Sequence, residues 1–255
     1  MAENQAFRRV GAGVVRTAVI DEGLRAHMNK VYALMSIAMI ITGMVAYVVG
    51  SDLGRAMSGQ PTLIVPPELL QLMFGSAFRW VIIFAPLGVV FLFSATIARM
   101  SWSTAQTVFW VFAGLMGLSL STIFAIYTGI SIAQTFFVTA IAFASLSLWG
   151  YTTKKDISGW GSFLFMGVIG LIVASVLNIF IASSALHFAV TVIGLLVFAG
   201  LTAYDTQKIK NTYLQMAGTG NTEWLEKSAI MGALGLYINF INMFVLLLQI
   251  FGQRE

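Results

Sequence analysis

The chain has 255 residues, of which 58% are hydrophobic and only 9% are charged. A soluble protein needs a more polar surface, so this composition predicts an integral membrane protein. The formal net charge of +4 comes from dispersed basic residues and not from a basic patch, which argues against a nucleic-acid partner. The chain has no cysteine, which excludes disulfides, thiolate metal sites and cysteine nucleophiles.

Seven stretches are apolar over roughly the 20 residues that a helix needs to cross the hydrocarbon core. In chain order they cover residues 31–49, 78–98, 107–127, 132–149, 161–182, 186–204 and 229–251. Alternation of apolar and polar residues is absent, so a β-barrel is not predicted. We therefore predict an all-α integral membrane protein in which residues 31–252 form one seven-helix domain.

The segments outside these stretches are mostly short. Residues 1–30 are rich in arginine and lack an apolar core beside a cleavage site, so we interpret them as an amino-terminal tail and not as a cleaved signal. Residues 50–77 are interpreted as a loop on the outer interface. Residues 211–228, which contain two glycines, are predicted to be a flexible inner connection.

The distribution of lysine and arginine predicts how the chain is oriented in the membrane. Of the 14 basic residues, 11 fall on one side of the predicted spans and 3 on the other. The second group is Arg55, Arg79 and Arg254. Cytoplasmic loops carry the basic excess, so we predict a cytoplasmic amino terminus and a carboxyl terminus outside.

Small and polar residues inside the spans indicate how the helices pack. Ala113, Gly117 and Ser121 form a small-residue stripe on the third span, of the kind that lets membrane helices approach closely. We interpret this stripe as packing within the bundle. Asn239 and Asn242 lie inside the last apolar run, so their amides are expected to form hydrogen bonds within the bundle or to face a wet cavity.

The inventory of ionisable residues argues against catalysis. The last span has no lysine for a Schiff base and no second carboxylate for an aspartyl dyad. The two histidines, His27 and His187, are not in an H-E-x-x-H pattern. We therefore predict that the protein is not an enzyme and has no cofactor or metal site.

Two charged residues lie at the predicted inner ends of spans. Arg99 ends the second span and Asp205 follows the sixth, and both spans run from outside to inside, so an ion pair between them is possible. Alternatively, Arg99 extends towards the interface as a positive-inside residue. Asp205 would then be a solvated residue whose charge is offset by Lys208.

Four stretches of the chain carry recognisable motifs. They read "GLSLSTIFAIYTGISIAQTFFVTA" from Gly117, "GYTTKKDISGWGSFLFMGVIGLIVASVLNIF" from Gly150, "FAGLTAYDTQKIKNTY" from Phe198 and "GALGLYINFINMFVLLLQIFG" from Gly232. They resemble the Bax-inhibitor family of seven-helix membrane proteins, and the resemblance extends over about residues 25–252. The Tyr-Asp-Thr-Gln element is specific to that family. The resemblance implies a bacterial member in the inner membrane, with six helices around a central, C-terminal seventh.

The same resemblance implies a pH-sensitive calcium leak gated by two aspartates that share a proton, with a basic lock on the second helix. The first aspartate corresponds to Asp205. The second would lie where this chain has Asn239, within "LYINFIN". Arg99 corresponds to the lock because it is on the second helix and on the same side of the membrane. No local sequence motif supports this correspondence. An Asp–Asn pair cannot share a proton as two carboxylates do, although the amide can donate a hydrogen bond to the ionised aspartate.

Two functional hypotheses follow. In the first, the protein is a calcium or cation leak channel whose pH dependence is weakened, or shifted to lower pH, by Asn239. In the second, it is a non-conducting regulatory partner of a membrane-bound protease or stress-response complex, because some bacterial members of the family resemble modulators of a membrane-bound protease. The expected partners are the lipid bilayer, with calcium ions in the first hypothesis and a membrane protease in the second.

Overall fold

The computed structural model describes the backbone of residues 2–254 and the side chains of residues 20–254. Within this part of the chain there is no strand, and seven helices are long and apolar enough to cross a membrane. These seven helices are α1 (Ala2–Met57), α2 (Phe78–Thr96), α3 (Trp102–Ile126), α4 (Gly129–Thr152), α5 (Trp160–Ile181), α6 (Ser184–Met216) and α7 (Thr222–Phe251). The connection between α1 and α2 also contains a short α-helix, Pro67–Leu70, and a π-helical turn, Gln71–Gly75. The predicted all-α, seven-helix membrane fold is confirmed.

The helices extend further than the hydropathy pattern predicted. The largest difference is at α1, which runs from Ala2 to Met57; in addition, α6 continues past residue 204 to Met216 and α7 begins at Thr222. The prediction of a flexible connection over residues 211–228 is therefore wrong, because most of these residues are helical. A hydropathy pattern detects the part of a helix that crosses lipid, whereas helical hydrogen bonds continue into polar sequence.

The predicted amino-terminal tail is also continuous with a helix. The backbone of α1 runs without interruption from Ala2 into the first apolar stretch, which begins at residue 31. The side chains of Arg8, Arg9 and Arg16 lie outside the described residues. The predicted boundary between tail and membrane domain thus falls within α1.

The central helix of the bundle is α7. It is the most buried of the seven and packs against α1, α3, α4 and α6, whereas α5 packs on the outside of α6. Large apolar side chains on the outer faces, such as Phe165 and Phe180, remain exposed, as expected of surfaces that contact lipid. The predicted C-terminal central helix is confirmed.

A buried polar contact fastens α7 to α1 and α3. The hydroxyl of Thr42 donates to the carbonyl of Ala113 at 2.8 Å and lies 2.7 Å from the hydroxyl of Tyr237. A threonine hydroxyl has one proton, so Tyr237 is the donor to Thr42. A Cβ atom on Gly117 would lie 2.7 Å from the Thr42 carbonyl oxygen, so the glycine permits this close approach. The small-residue stripe therefore packs within the bundle.

The loop after α1 is held by a buried carboxylate. Asp52, which is 2% exposed, accepts hydrogen bonds from the backbone N–H groups of Leu63, Ile64 and Val65 at 2.7–2.8 Å. Three backbone donors satisfy a carboxylate that would otherwise be costly to bury. The sequence analysis had not singled out Asp52.

Candidate functional site

Asp205 lies within α6 and not at its end, because the helix continues to Met216. Its carboxylate oxygen Oδ2 accepts a hydrogen bond of 2.7 Å from Nδ2 of Asn239 on the central helix. The Asn239 side chain is almost fully buried, with 4% exposure. The structure thus brings together the two residues that the sequence analysis had proposed as a gate.

Asp205 lines a cavity of about 780 Å³ between α2, α6 and α7, at the end nearest the middle of α7, which we call the deep end; its partner Asn239 is not itself a lining residue. Val90, Gly235 and Ile238 line the cavity near the pair. A Cβ atom on Gly235 would be 3.7 Å from Oδ2 of Asp205, so the glycine leaves space beside the carboxylate. The carboxylate can therefore be reached from the cavity.

The opposite end of the cavity is polar. It is lined by Asn221, which precedes α7, and by Glu223 and Lys227 in the first two turns of α7. Lys227 forms an ion pair of 3.0 Å with Glu223. Lys208 follows Asp205 by nearly one turn of α6 and lines the same cavity. The cavity therefore has a charged end at the start of α7 and the Asp205 carboxylate at its other end.

His27 of α1 also lines this cavity. It is 8% exposed, and its ring centroid lies 5.1 Å from that of Tyr213. One turn further along α1, Lys30 forms an ion pair with Glu226 of α7, which ties these two helices together near the opening. His187, the other histidine, is exposed at the start of α6 and does not line this cavity.

Arg99 is not brought to Asp205. It is exposed in the 3₁₀ turn Ile97–Arg99 that ends α2, and it belongs to neither of the two ion pairs found among residues 20–254. Its neighbours Ile97 and Ala98 line the cavity, but Arg99 does not. The proposed role of Arg99 as a lock therefore stays a prediction.

The residues that surround Asp205 in "AYDTQ" fix α6 to its neighbours. A Cβ atom on Gly150 would lie 2.3 Å from the carbonyl oxygen of Ala203, so α4 and α6 are in backbone contact there. The hydroxyl of Thr206 lies 2.9 Å from that of Ser147, which in turn lies 2.6 Å from the hydroxyl of Tyr32. This packing positions the Asp205 side chain towards α7.

Gln207 completes the motif by holding the loop between α4 and α5. Its Oε1 accepts from the N–H of Ile157 at 2.9 Å, and its Nε2 donates to the carbonyl of Lys155 at 2.8 Å. Gln207 is 6% exposed and Ile157 is 3% exposed. The sequence analysis used Gln207 only as part of a family motif and did not predict this contact.

We expect Gln207→Leu to release this loop, because the buried N–H of Ile157 loses its acceptor. An unpaired buried donor costs about 1–3 kcal/mol. The exposed Lys154 and Lys155 provide a direct measurement, since tryptic cleavage there should become faster in the purified protein. Gln207→Glu keeps the acceptor for Ile157 and should have a smaller effect. Equal cleavage rates in all three proteins would contradict the assignment.

Taken together, the bundle and the site define a class: a seven-helix membrane protein in which a cavity from one side ends at a carboxylate hydrogen-bonded to the central helix. Comparison with known proteins agrees with this description. The family model described as inhibitor of apoptosis-promoting Bax1 matches residues 24–255. The chain belongs to the Bax-inhibitor family.

Relatives of similar length are found in several bacteria. The protein RP147 of Rickettsia prowazekii is 45% identical over 240 residues, which cover 94% of each chain. The inner membrane protein YbhL of Escherichia coli K12 is 43% identical over 234 residues, 91% of this chain and 94% of its own. A protein of Caulobacter vibrioides is 44% identical over 241 residues, 92% of each chain.

Proposed function

We propose that the protein is a calcium or cation leak channel of the Bax-inhibitor type, with Asp205 and Asn239 at its gate. It acts as a conduit and not as an enzyme. It resides in the inner membrane, as the name of the Escherichia coli relative states for that protein. The basic residue bias supports a cytoplasmic amino terminus and an outer carboxyl terminus, so the cavity opens to the cytoplasm.

The observation that carries this proposal is the carboxylate at the deep end of the cavity. Hard cations such as Ca²⁺ prefer oxygen ligands. Placing a carboxylate inside a membrane bundle costs free energy, so carboxylates that occur there usually mark an ion or proton pathway. Asp205 offers one carboxylate and Asn239 turns its amide nitrogen towards it. A site with so few oxygen ligands binds cations weakly, which suits passage better than storage.

Asn239 determines how the gate responds to pH. When two carboxylates are within hydrogen-bond distance, like charges oppose full ionisation and one of them keeps a proton. The amide of Asn239 cannot ionise, and its N–H favours the ionised form of its partner. We therefore expect a weaker pH dependence of flux than a pair of aspartates would give.

Asn239→Asp tests the gate directly. Calcium entry into proteoliposomes would be followed at about pH 6 and pH 8, on either side of the range in which a coupled carboxylate pair titrates. The wild-type flux should differ little between these conditions. In the variant, flux should be several-fold greater at about pH 8, because the second negative charge develops there and attracts cations.

Asn242→Asp is the matched control, because Asn242 is on the same helix but donates to the backbone carbonyl of Ile238 and not to Asp205. It should keep the wild-type pH profile. The gate proposal fails if Asn239→Asp leaves both the flux and its pH profile unchanged. If neither the wild-type protein nor either variant gives flux above that of empty vesicles, the role of a non-conducting regulatory partner becomes the better proposal.

A further inference from the structure

A second cavity, of about 620 Å³, lies between α1 and α4 and is separate from the Asp205 cavity. It exists because α1 packs mainly against α3 and α7, whereas α4 packs against α6 and α7. The gap between α1 and α4 is a groove whose floor is Phe240 of the central helix. We call it the α1–α4 groove.

The walls of the α1–α4 groove are apolar and adaptable. They consist largely of the thioether side chains of Met28, Met35 and Met39 from α1 and the rings of Phe136 and Phe143 from α4. Methionine side chains are flexible and fill irregular spaces, so such walls fit a flexible hydrocarbon better than a rigid ring system. The lining therefore indicates an acyl chain as the occupant.

One end of the groove is polar and basic. Arg25 and Asn29 line it there and are both exposed. Lys210 lies 5.3 Å from the ring centroid of Tyr151, another lining residue, and donates to the Tyr151 carbonyl. No carboxylate is among the lining residues, and Asp21 and Glu22, which lie one turn before Arg25 on α1, form no ion pair with it among the described residues. This end is complementary to an anion.

The length of the groove matches one membrane leaflet. Arg25 and Met39 are separated by about 14 helical residues, or roughly 21 Å along α1. Half of the hydrocarbon core measures about 15 Å. Arg25 precedes the apolar stretch that begins at residue 31, so it lies at the depth of the lipid headgroups. An acyl chain that starts near Arg25 would reach about the bilayer midplane at Met39.

We propose that the α1–α4 groove binds one acyl chain of an anionic phospholipid, with the lipid phosphate beside Arg25. The shape of the groove, its thioether and aromatic walls and its basic end together carry this assignment. It is independent of the proposed calcium leak, because none of its lining residues is shared with the Asp205 cavity. The lipid is a bound ligand and not only part of the surrounding bilayer.

Native mass spectrometry of the purified protein tests this proposal. The protein would be equilibrated with micelles that contain equal amounts of phosphatidylglycerol and phosphatidylcholine, and retained lipids would be counted. The wild-type protein should retain one phosphatidylglycerol in several-fold preference. Ala140→Trp, which fills the groove from α4, should reduce this retention about tenfold, equivalent to about 1.4 kcal/mol. Ser175→Trp on the exposed face of α5 is the matched control.

Arg25→Gln provides a second measurement that does not depend on filling the groove. It should remove the preference for phosphatidylglycerol while one lipid of either kind is still retained. Equal retention of both lipids by the wild-type protein would overturn the assignment of the anionic headgroup. Equal retention by Ala140→Trp and the wild-type protein, with the fold of both verified by circular dichroism, would overturn the groove as the binding site.

Discussion

Gly150→Ala is expected to destabilise the bundle strongly, although it adds a single methyl group. The added carbon would lie 2.3 Å from the carbonyl oxygen of Ala203 and 2.9 Å from its Cα atom. Both are backbone atoms, so α4 and α6 must separate to make room. Overpacking of this kind costs about 1–3 kcal/mol or more. The midpoint of thermal unfolding in detergent should fall by several degrees, measured by the fluorescence of the tryptophans.

Gly170→Ala serves as the control for this substitution. Gly170 is in the middle of α5, and a Cβ atom there would have no heavy atom within 4 Å. Alanine also favours helix over glycine, so the midpoint should be unchanged or slightly higher. An equal midpoint for Gly150→Ala and the wild-type protein would mean that the α4–α6 contact is looser than described.

Gly235→Leu should abolish flux while leaving the protein folded. A side chain at this position points into the cavity, with its Cβ atom 3.7 Å from the Asp205 carboxylate. The larger leucine side chain would fill the deep end of the cavity and exclude water and ions from Asp205. We expect calcium entry into proteoliposomes to fall to that of empty vesicles. Gly235→Ala should have an intermediate effect, because 3.7 Å is an ordinary contact distance.

The matched control is Gly88→Leu on α2, where a Cβ atom would have no heavy atom within 4 Å. This substitution adds the same side chain without entering the cavity, so the flux should remain at the wild-type level. Unchanged flux in Gly235→Leu, with a normal unfolding midpoint, would show that ions do not pass beside Asp205.

Much of the fold could be predicted from the sequence, because a membrane span requires a long apolar run and few other structures contain one. The ends of the helices could not be predicted in this way. After residue 204 the chain becomes polar, yet α6 continues to Met216, and the side chains of Gln207 and Lys210 in this extension form hydrogen bonds to residues before α5. These are contacts between distant parts of the chain, and no local pattern contains them.

The site was predicted in part. The motif around Asp205 and the asparagine at position 239 identified the pair, but their contact depended on how far α6 and α7 extend. The supporting contacts of Thr206 and Gln207 were missed, because a polar residue beside an apolar run does not indicate its partner. Asp52 could have been noticed as a lone acidic residue near the end of the first span. Its three backbone donors could not have been predicted, because they depend on how the following loop folds back.

The depth of Asp205 has a consequence for how the membrane potential acts on this protein. Asp205 lies about 21 residues after Ser184, or about 32 Å along α6, which is close to the full thickness of the hydrocarbon core. An ion that crosses the whole membrane does work of about 2.3 kcal/mol per charge at 100 mV. An ion or proton that reaches Asp205 through the cavity crosses only a small part of that field. For the leak channel that we propose, we therefore expect the occupancy of Asp205 to follow concentrations on the cavity side, and voltage to act mainly on movement through the packed core beyond Asn239.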